Sequence, residues 1–134
     1  MAWSPQRPRT LVPTDHALNV ARRNAGAGFQ VGTRSVVAHS HAVSNSFAGI
    51  DVTGGDNVIE GNHLIANFAE GLLVEATVNL VVGNFARGNV TNYSIVAGNR
   101  VATIVLPAVT GGAINGNAGG TAFTTDPYAN IAGS

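Results

Sequence analysis

Residues 49–70 read GIDVTGGDNVIEGNHLIANFAE, and residues 71–92 read GLLVEATVNLVVGNFARGNVTN. Laid one over the other, they share an opening Gly (Gly49, Gly71) and a Val three residues on (Val52, Val74). They also share asparagines at Asn57 and Asn79, at Asn62 and Asn84, and at Asn67 and Asn89. The agreement spreads in both directions. Asn24, Asn45, Asn67 and Asn89 fall at intervals of 21, 22 and 22, as do Asn19, Ser40, Asn62 and Asn84. Ser35 extends the third column, Gly28 the glycine column, and Val31 and Val96 are expected to complete the valine column. Self-similarity at a fixed period of this size is the signature of a repeat architecture.

Inside each unit the period drops to two. Ile50 and Val52 flank Asp51, and Ile59 lies between Val58 and Glu60. Apolar runs this short, rich in Val and Ile and punctuated by Gly and Asn, read as strands and not helices. Three short strands per unit describe one rung of a parallel β-solenoid. A left-handed solenoid would show hexapeptide units, which this chain lacks. The asparagines have two uses at the bends: they tolerate left-handed backbone, and their amides can bond to the Asn one rung away. Ser40 interrupts one such ladder. With rungs about 4.8 Å apart, about four of them make a stub near 20 Å long.

Composition agrees with a single small domain. The chain has 134 residues, 45% of them hydrophobic, and only 10% charged, against about 25% in an average protein. Seven Arg balance seven acids, with no Lys and no Cys. The balance argues against a nucleic-acid partner held through phosphates. No apolar run reaches the length of about 18 residues that a transmembrane helix requires, so no membrane span is expected. A Cys-based metal site or disulfide framework is excluded, and so is Lys-dependent P-loop or Schiff-base chemistry. Residues 1–16 differ from the rest: they hold three of the five Pro and the sole Trp, Trp3. They read as a flexible tail without the apolar core of a signal peptide, and localisation stays unassigned. Residues 17–134 form the rungs and a C-terminal cap.

The segments GIDV, NVIEGNHLIAN, GLLV, NLVVGNFARGN and NYSIVAGNRVATIV resemble the right-handed parallel β-helix proteins of the pectate-lyase-like superfamily. The ending GGTAFTTDPYANI, residues 119–131, resembles the C-terminal tail of bacterial β-helix repeat proteins. The resemblance spans about Leu18 to Ile131. It implies an all-β, right-handed, single-stranded parallel β-helix of about four rungs, in a family often exported. Such proteins usually carry more rungs, so the chain reads like the last rungs of a longer one. Ile114, Phe123, Pro127 and Tyr128 are expected to cover the final rung near Tyr93 to Val105.

An uncovered first rung exposes apolar side chains and unpaired strand groups, which recruit another chain. A homo-oligomer is therefore expected. Outward positions are assigned to Gln30, Asp51, Leu73 and Ile95 on the first strand of each rung. Ala38, Glu60 and Val82 point out from the second, and Val20, His41, His63 and Phe85 from the third. Leu73, Ile95, Val82 and Phe85 then form an apolar patch.

Two sets of residues can carry chemistry. Asp51 and Glu75 become diagonal neighbours on adjacent rungs, at a separation expected to suit an inverting hydrolase, whose carboxyls lie about 6.5–9.5 Å apart. With Asp56 they could instead hold Ca²⁺, which takes six to eight oxygens. In the family that the chain resembles, this strand face commonly carries catalytic carboxylates. His41 and His63 share a column and could bind a divalent metal or relay a proton. The fuller Asp–Arg–His sets of β-helix enzymes are not matched. Two functions follow as expectations. The first is a non-catalytic module, structural or glycan-contacting, acting as a homo-oligomer. The second is a small hydrolase of glycosidic, ester or lactone bonds on a polysaccharide or small molecule, using Asp51 and Glu75 or the His column.

Overall fold

The computed structural model describes residues 19–106 and 125–133. Among them there is no helix. The first rung runs β1 (Val20–Arg22), β2 (Phe29–Val31) and β3 (Val36–Ala38). The second is β4 (His41–Val43), β5 (Ile50–Val52) and β6 (Val58–Glu60). The third is β7 (His63–Ile65), β8 (Glu70–Val74) and β9 (Leu80–Val82), and the fourth is β10 (Phe85–Arg87), β11 (Thr91–Ile95) and β12 (Arg100–Val101). Two further strands follow, β13 (Ile104–Val105) and β14 (Asn130–Gly133). Every pairing is parallel and joins equivalent strands of successive rungs, apart from those made by β14. The result is an all-β parallel solenoid of about four turns, with three sheets wrapped around one core.

Alternation in three-residue strands points the middle residue one way and its neighbours the other. In β4, β7 and β10 the middle residues Ala42, Leu64 and Ala86 go inward and are fully buried. In β5 the order inverts: Ile50 and Val52 are inward and Asp51 outward, and Leu72 and Val74 continue both inward columns in β8. Ile59 and Val81 close the third side. The Ala42–Leu64–Ala86 column and the Ile, Leu and Val columns of the other two sheets make one buried core.

At the corners the asparagines form ladders. Where Asn follows Asn from Asn24 to Asn89, the Oδ1 accepts both the main-chain N–H and the side-chain Nδ2–H of the residue one rung earlier; Asn57 and Asn62, preceded by Ser35 and Ser40, accept the main-chain N–H alone. Asn24, Asn45 and Asn67 donate Nδ2–H to Asn45, Asn67 and Asn89 at 2.9 Å in each case. Asn57 donates to Asn79 at 2.9 Å, and Asn62 to Asn84 at 3.0 Å. The second Nδ2 hydrogen reaches a carbonyl one rung earlier, such as Asn67 to Ala42 O at 3.0 Å and Asn62 to Val37 O at 2.9 Å. Buried amides are thus satisfied on both donor and acceptor sides, which removes the desolvation cost of placing them in the core.

The reason given above for asparagine at the bends needs one correction. The left-handed residue is not the Asn but the one before it. Arg23, Arg34, His39, Ser44, Asp56, Ala66 and Val78 have positive φ, as do Gly61, Gly83, Gly88 and Gly98. Each of the eleven immediately precedes a ladder Asn or Ser. The turn is made one residue early, which leaves the Asn itself aimed into the core for the ladder.

The last rung departs from the repeat. Ser94, not Ile95, pairs with Leu73, and Ile95 pairs with Val74. Ile95 therefore points inward and packs on the core, so it leaves the expected outward patch, and Val96 leaves the valine column. The cause is a shortened unit: one residue is missing between Asn89 and Thr91. A second is missing before Asn99, which receives the N–H of Asn79 at a spacing of 20 residues.

The C-terminal segment closes the coil differently from the expectation. Pro127 and Tyr128 are exposed, Tyr128 at 65%, so neither covers the last rung; Ile114 and Phe123 lie outside the described residues, as do residues 1–16. The closure is made by a strand. β14 inserts between β10 and β13 in the six-stranded sheet, and Ala132 joins the Ala42–Leu64–Ala86 column. The Tyr93 hydroxyl lies 2.9 Å from the carbonyls of both Asn84 and Ile131, locking β14 from inside. Burial holds that phenol well above its ordinary pKa.

Candidate functional site

The carboxylates lie on the outer face of the four-stranded sheet β2–β5–β8–β11. Asp51 stands opposite Leu73 in β8, and Glu75 follows Val74 one position past the end of that strand. The main-chain N–H of Glu75 donates to Val52 O at 2.9 Å, which places Glu75 diagonally from Asp51, as its spacing requires. Asp51 is near enough to act on the Glu75 carboxyl. The hydrogen bond to Asp51 raises the Glu75 pKa, followed by the Asp51 charge, desolvation and the Glu70 charge.

Asp51 is far less exposed than a surface acid, at 6%. Its Oδ1 is buried with no hydrogen-bond partner, and so is Glu70 Oε2. Glu70 was not among the acids singled out from the sequence. It opens β8 at the position Ala48 holds one rung earlier. Asp56 sits at a left-handed turn before Asn57 and is not gathered with Asp51 and Glu75 into a ligand set. Among the described residues no group of three or more His, Asp or Glu converges on a metal-ion position.

The histidines lie on another face, that of β1–β4–β7–β10–β14–β13. His41 and His63 are register partners, and their rings stack with centroids 4.8 Å apart and planes 13° from parallel. Phe85 continues the column and meets His63 edge-on at 6.0 Å. Desolvation, then the proximity of His41, lowers the His63 pKa. Ser40 is inward and buried, its N–H held by Asn62 Oδ1 at 3.0 Å, as its ladder position demands. His39 takes no part in the stack: it is one of the left-handed residues and packs over Gly61.

The third sheet has no titratable column but an apolar one. Val36, Val58 and Leu80 are register partners on the outside of β3, β6 and β9. Val36 is 59% and Leu80 38% exposed. Beside them run Ala38, Glu60 and Val82, the outward column expected from the sequence. A three-residue strand shows two outward residues, so the alternation that turns Glu60 outward also turns Val58 outward, and both are half-buried.

No protein-family model, no curated protein and no solved structure matches the chain. What the geometry establishes is a parallel β-solenoid of about four turns with asparagine ladders.

Proposed function

We propose that this chain is a non-catalytic module of the right-handed, pectate-lyase-like β-helix type, with a structural or glycan-contacting role, acting as a homo-oligomer. One observation carries the reading: the Val36–Val58–Leu80 column, exposed at Val36 and Leu80, flanked by Val82 and continued by Arg100. Aligned apolar side chains in water favour burial against another surface. The zero formal net charge offers little repulsion between copies.

The test is light scattering coupled to size exclusion on the full chain over a range of concentrations, with V36E and L80E alongside. The reading expects an oligomer that both variants dissociate while their melting temperatures stay close to the parent. A chain that is monomeric at every concentration rejects it.

A second reading has its own support in the diagonal placement of Asp51 and Glu75 on neighbouring rungs. Two neighbouring carboxyls that share one proton divide into an acid and a base, the arrangement that activates water in acid-dyad hydrolases. On this reading the substrate is an ester or lactone. Turnover of aryl esters and lactones lost in D51N and in E75Q would establish it. No turnover on that panel removes it.

A further inference from the structure

We propose that His41 and His63 form a two-imidazole chelate for a borderline divalent cation of the Zn²⁺, Ni²⁺ or Cu²⁺ class, on the outer face of the six-stranded sheet. The inference is independent of the oligomer and of the carboxyl pair. It starts from register. The two residues sit directly opposite each other on adjacent strands in the middle of the sheet, and their rings already stack at 4.8 Å and 13°.

The backbone beneath them is pinned. The residues immediately before the histidines are the ladder pair Ser40 and Asn62, joined from Ser40 N–H to Asn62 Oδ1 at 3.0 Å. The His63 N–H donates to Ser40 O at 2.9 Å, and the His41 N–H to Asn19 O at 2.8 Å. Two donor side chains are therefore presented side by side on a rigid scaffold, which lowers the ordering cost of binding.

A metal bound by imidazole lies about 2.0–2.1 Å from each nitrogen. Two such bonds require the nitrogens to converge to about 3 Å, closer than the ring centroids now stand. A modest tilt of the exposed His63 ring achieves this, and Phe85, edge-on to that ring, bounds its movement on one side. The chemistry of the face chooses the ion. The flanking outward residues are Val20, Val43, Ile65 and Phe85, with no carboxylate among them. Imidazole without carboxylate suits Zn²⁺, Ni²⁺ and Cu²⁺ and disfavours Ca²⁺ and Mg²⁺. Arg22 and Arg87 flank Val43 and Ile65 in the neighbouring outward column, and their charge keeps the affinity modest. The other coordination positions remain open to water or to an external ligand.

The experiment is isothermal titration of the tag-free full chain, stripped with EDTA and dialysed, with ZnCl₂, NiCl₂ and CaCl₂ in separate runs. The proposal expects one site for Zn²⁺ and for Ni²⁺ and none for Ca²⁺. H41Q and H63Q each weaken binding by at least about tenfold, the cost of losing one of two ligand bonds. H39Q and H16Q leave it unchanged. Imidazole ¹⁵N shifts of His41 and His63 in the unaltered protein supply a second readout, should a variant fold poorly: both move on Zn²⁺ addition. Absence of Zn²⁺ and Ni²⁺ binding overturns the proposal. So does binding that survives both substitutions, or shifts confined to His16 or His39.

Discussion

Asn84 and Asn130 are separated by 46 residues, yet they occupy adjacent steps of one ladder: Asn84 donates both its main-chain N–H and its Nδ2–H to Asn130 Oδ1 at 3.0 Å. The two steps before it in that column, Ser40 to Asn62 and Asn62 to Asn84, are each 22 residues. Asn130 in turn donates to Ala102 O at 3.0 Å and Val81 O at 3.2 Å. One amide therefore joins β14 to two rungs.

Replacing it should loosen the end of the coil. N130A strands the buried main-chain N–H of Asn84, whose Nδ2 keeps the Ile59 and Val82 carbonyls, so a loss of about 1–3 kcal/mol is expected in urea unfolding. N130D keeps the acceptor and loses the donors, and should fall between the parent and N130A. Equal stability of all three would mean that β14 does not hold the ladder.

Val78 is a β-branched residue at φ 68°, and 53% exposed. Left-handed backbone costs a side-chain-bearing residue about 1–2 kcal/mol, while Gly adds about 0.5–1 kcal/mol of unfolded-state entropy. V78G should therefore stabilise the protein by about 0.5–1 kcal/mol in chemical denaturation. A destabilised V78G would show that its exposed side chain packs on something more valuable than the strain.

Gly49 marks a close approach and not a left-handed turn. A Cβ there would meet Gly71 O at 2.7 Å and Asn67 Nδ2 at 2.8 Å, both inside the coil. G49A should cost about 3 kcal/mol, at the upper end of overpacking penalties, because the obstacle is backbone. G26A is the control: nothing lies within 4 Å of its added carbon. The two variants should separate clearly in thermal melts.

The carboxyl pair sets a pH dependence whose sign is fixed. Glu75 has a folded-state pKa above its unfolded value. Its contribution is therefore complete below the unfolded carboxylate value and is lost as pH rises through the raised folded value. E75Q retains a donor and cannot ionise. Its melting temperature should gain on the parent's from pH 4 to pH 7.5. A difference that does not change with pH would remove the raised Glu75 pKa.

Much of this was legible before any coordinates. The columns through Asn24, Asn57 and Asn62, the outward Glu60, and the pairing of His41 with His63 all follow from a 22-residue self-alignment. Asn99 and Ile95 were not legible, because the last unit is two residues short and the alignment slips where the shortening begins. Asn130 was hidden for a different reason. Its segment, NIAG at residues 130–133, matches NFAR at 84–87 in kind, but at a separation that belongs to no repeat.

By itself the sequence determined the rung, its three strands, the stacking direction and the amide ladders. Each of these depends on contacts that recur at one fixed chain separation, and such contacts leave a period in the residues. Only the tertiary structure decided how deeply Asp51 is buried, that Asp51 and Glu70 act on the Glu75 carboxyl, and that the fourth rung is closed by a returning strand. Those depend on side-chain reach and on a single non-repeating closure, and neither leaves a periodic trace.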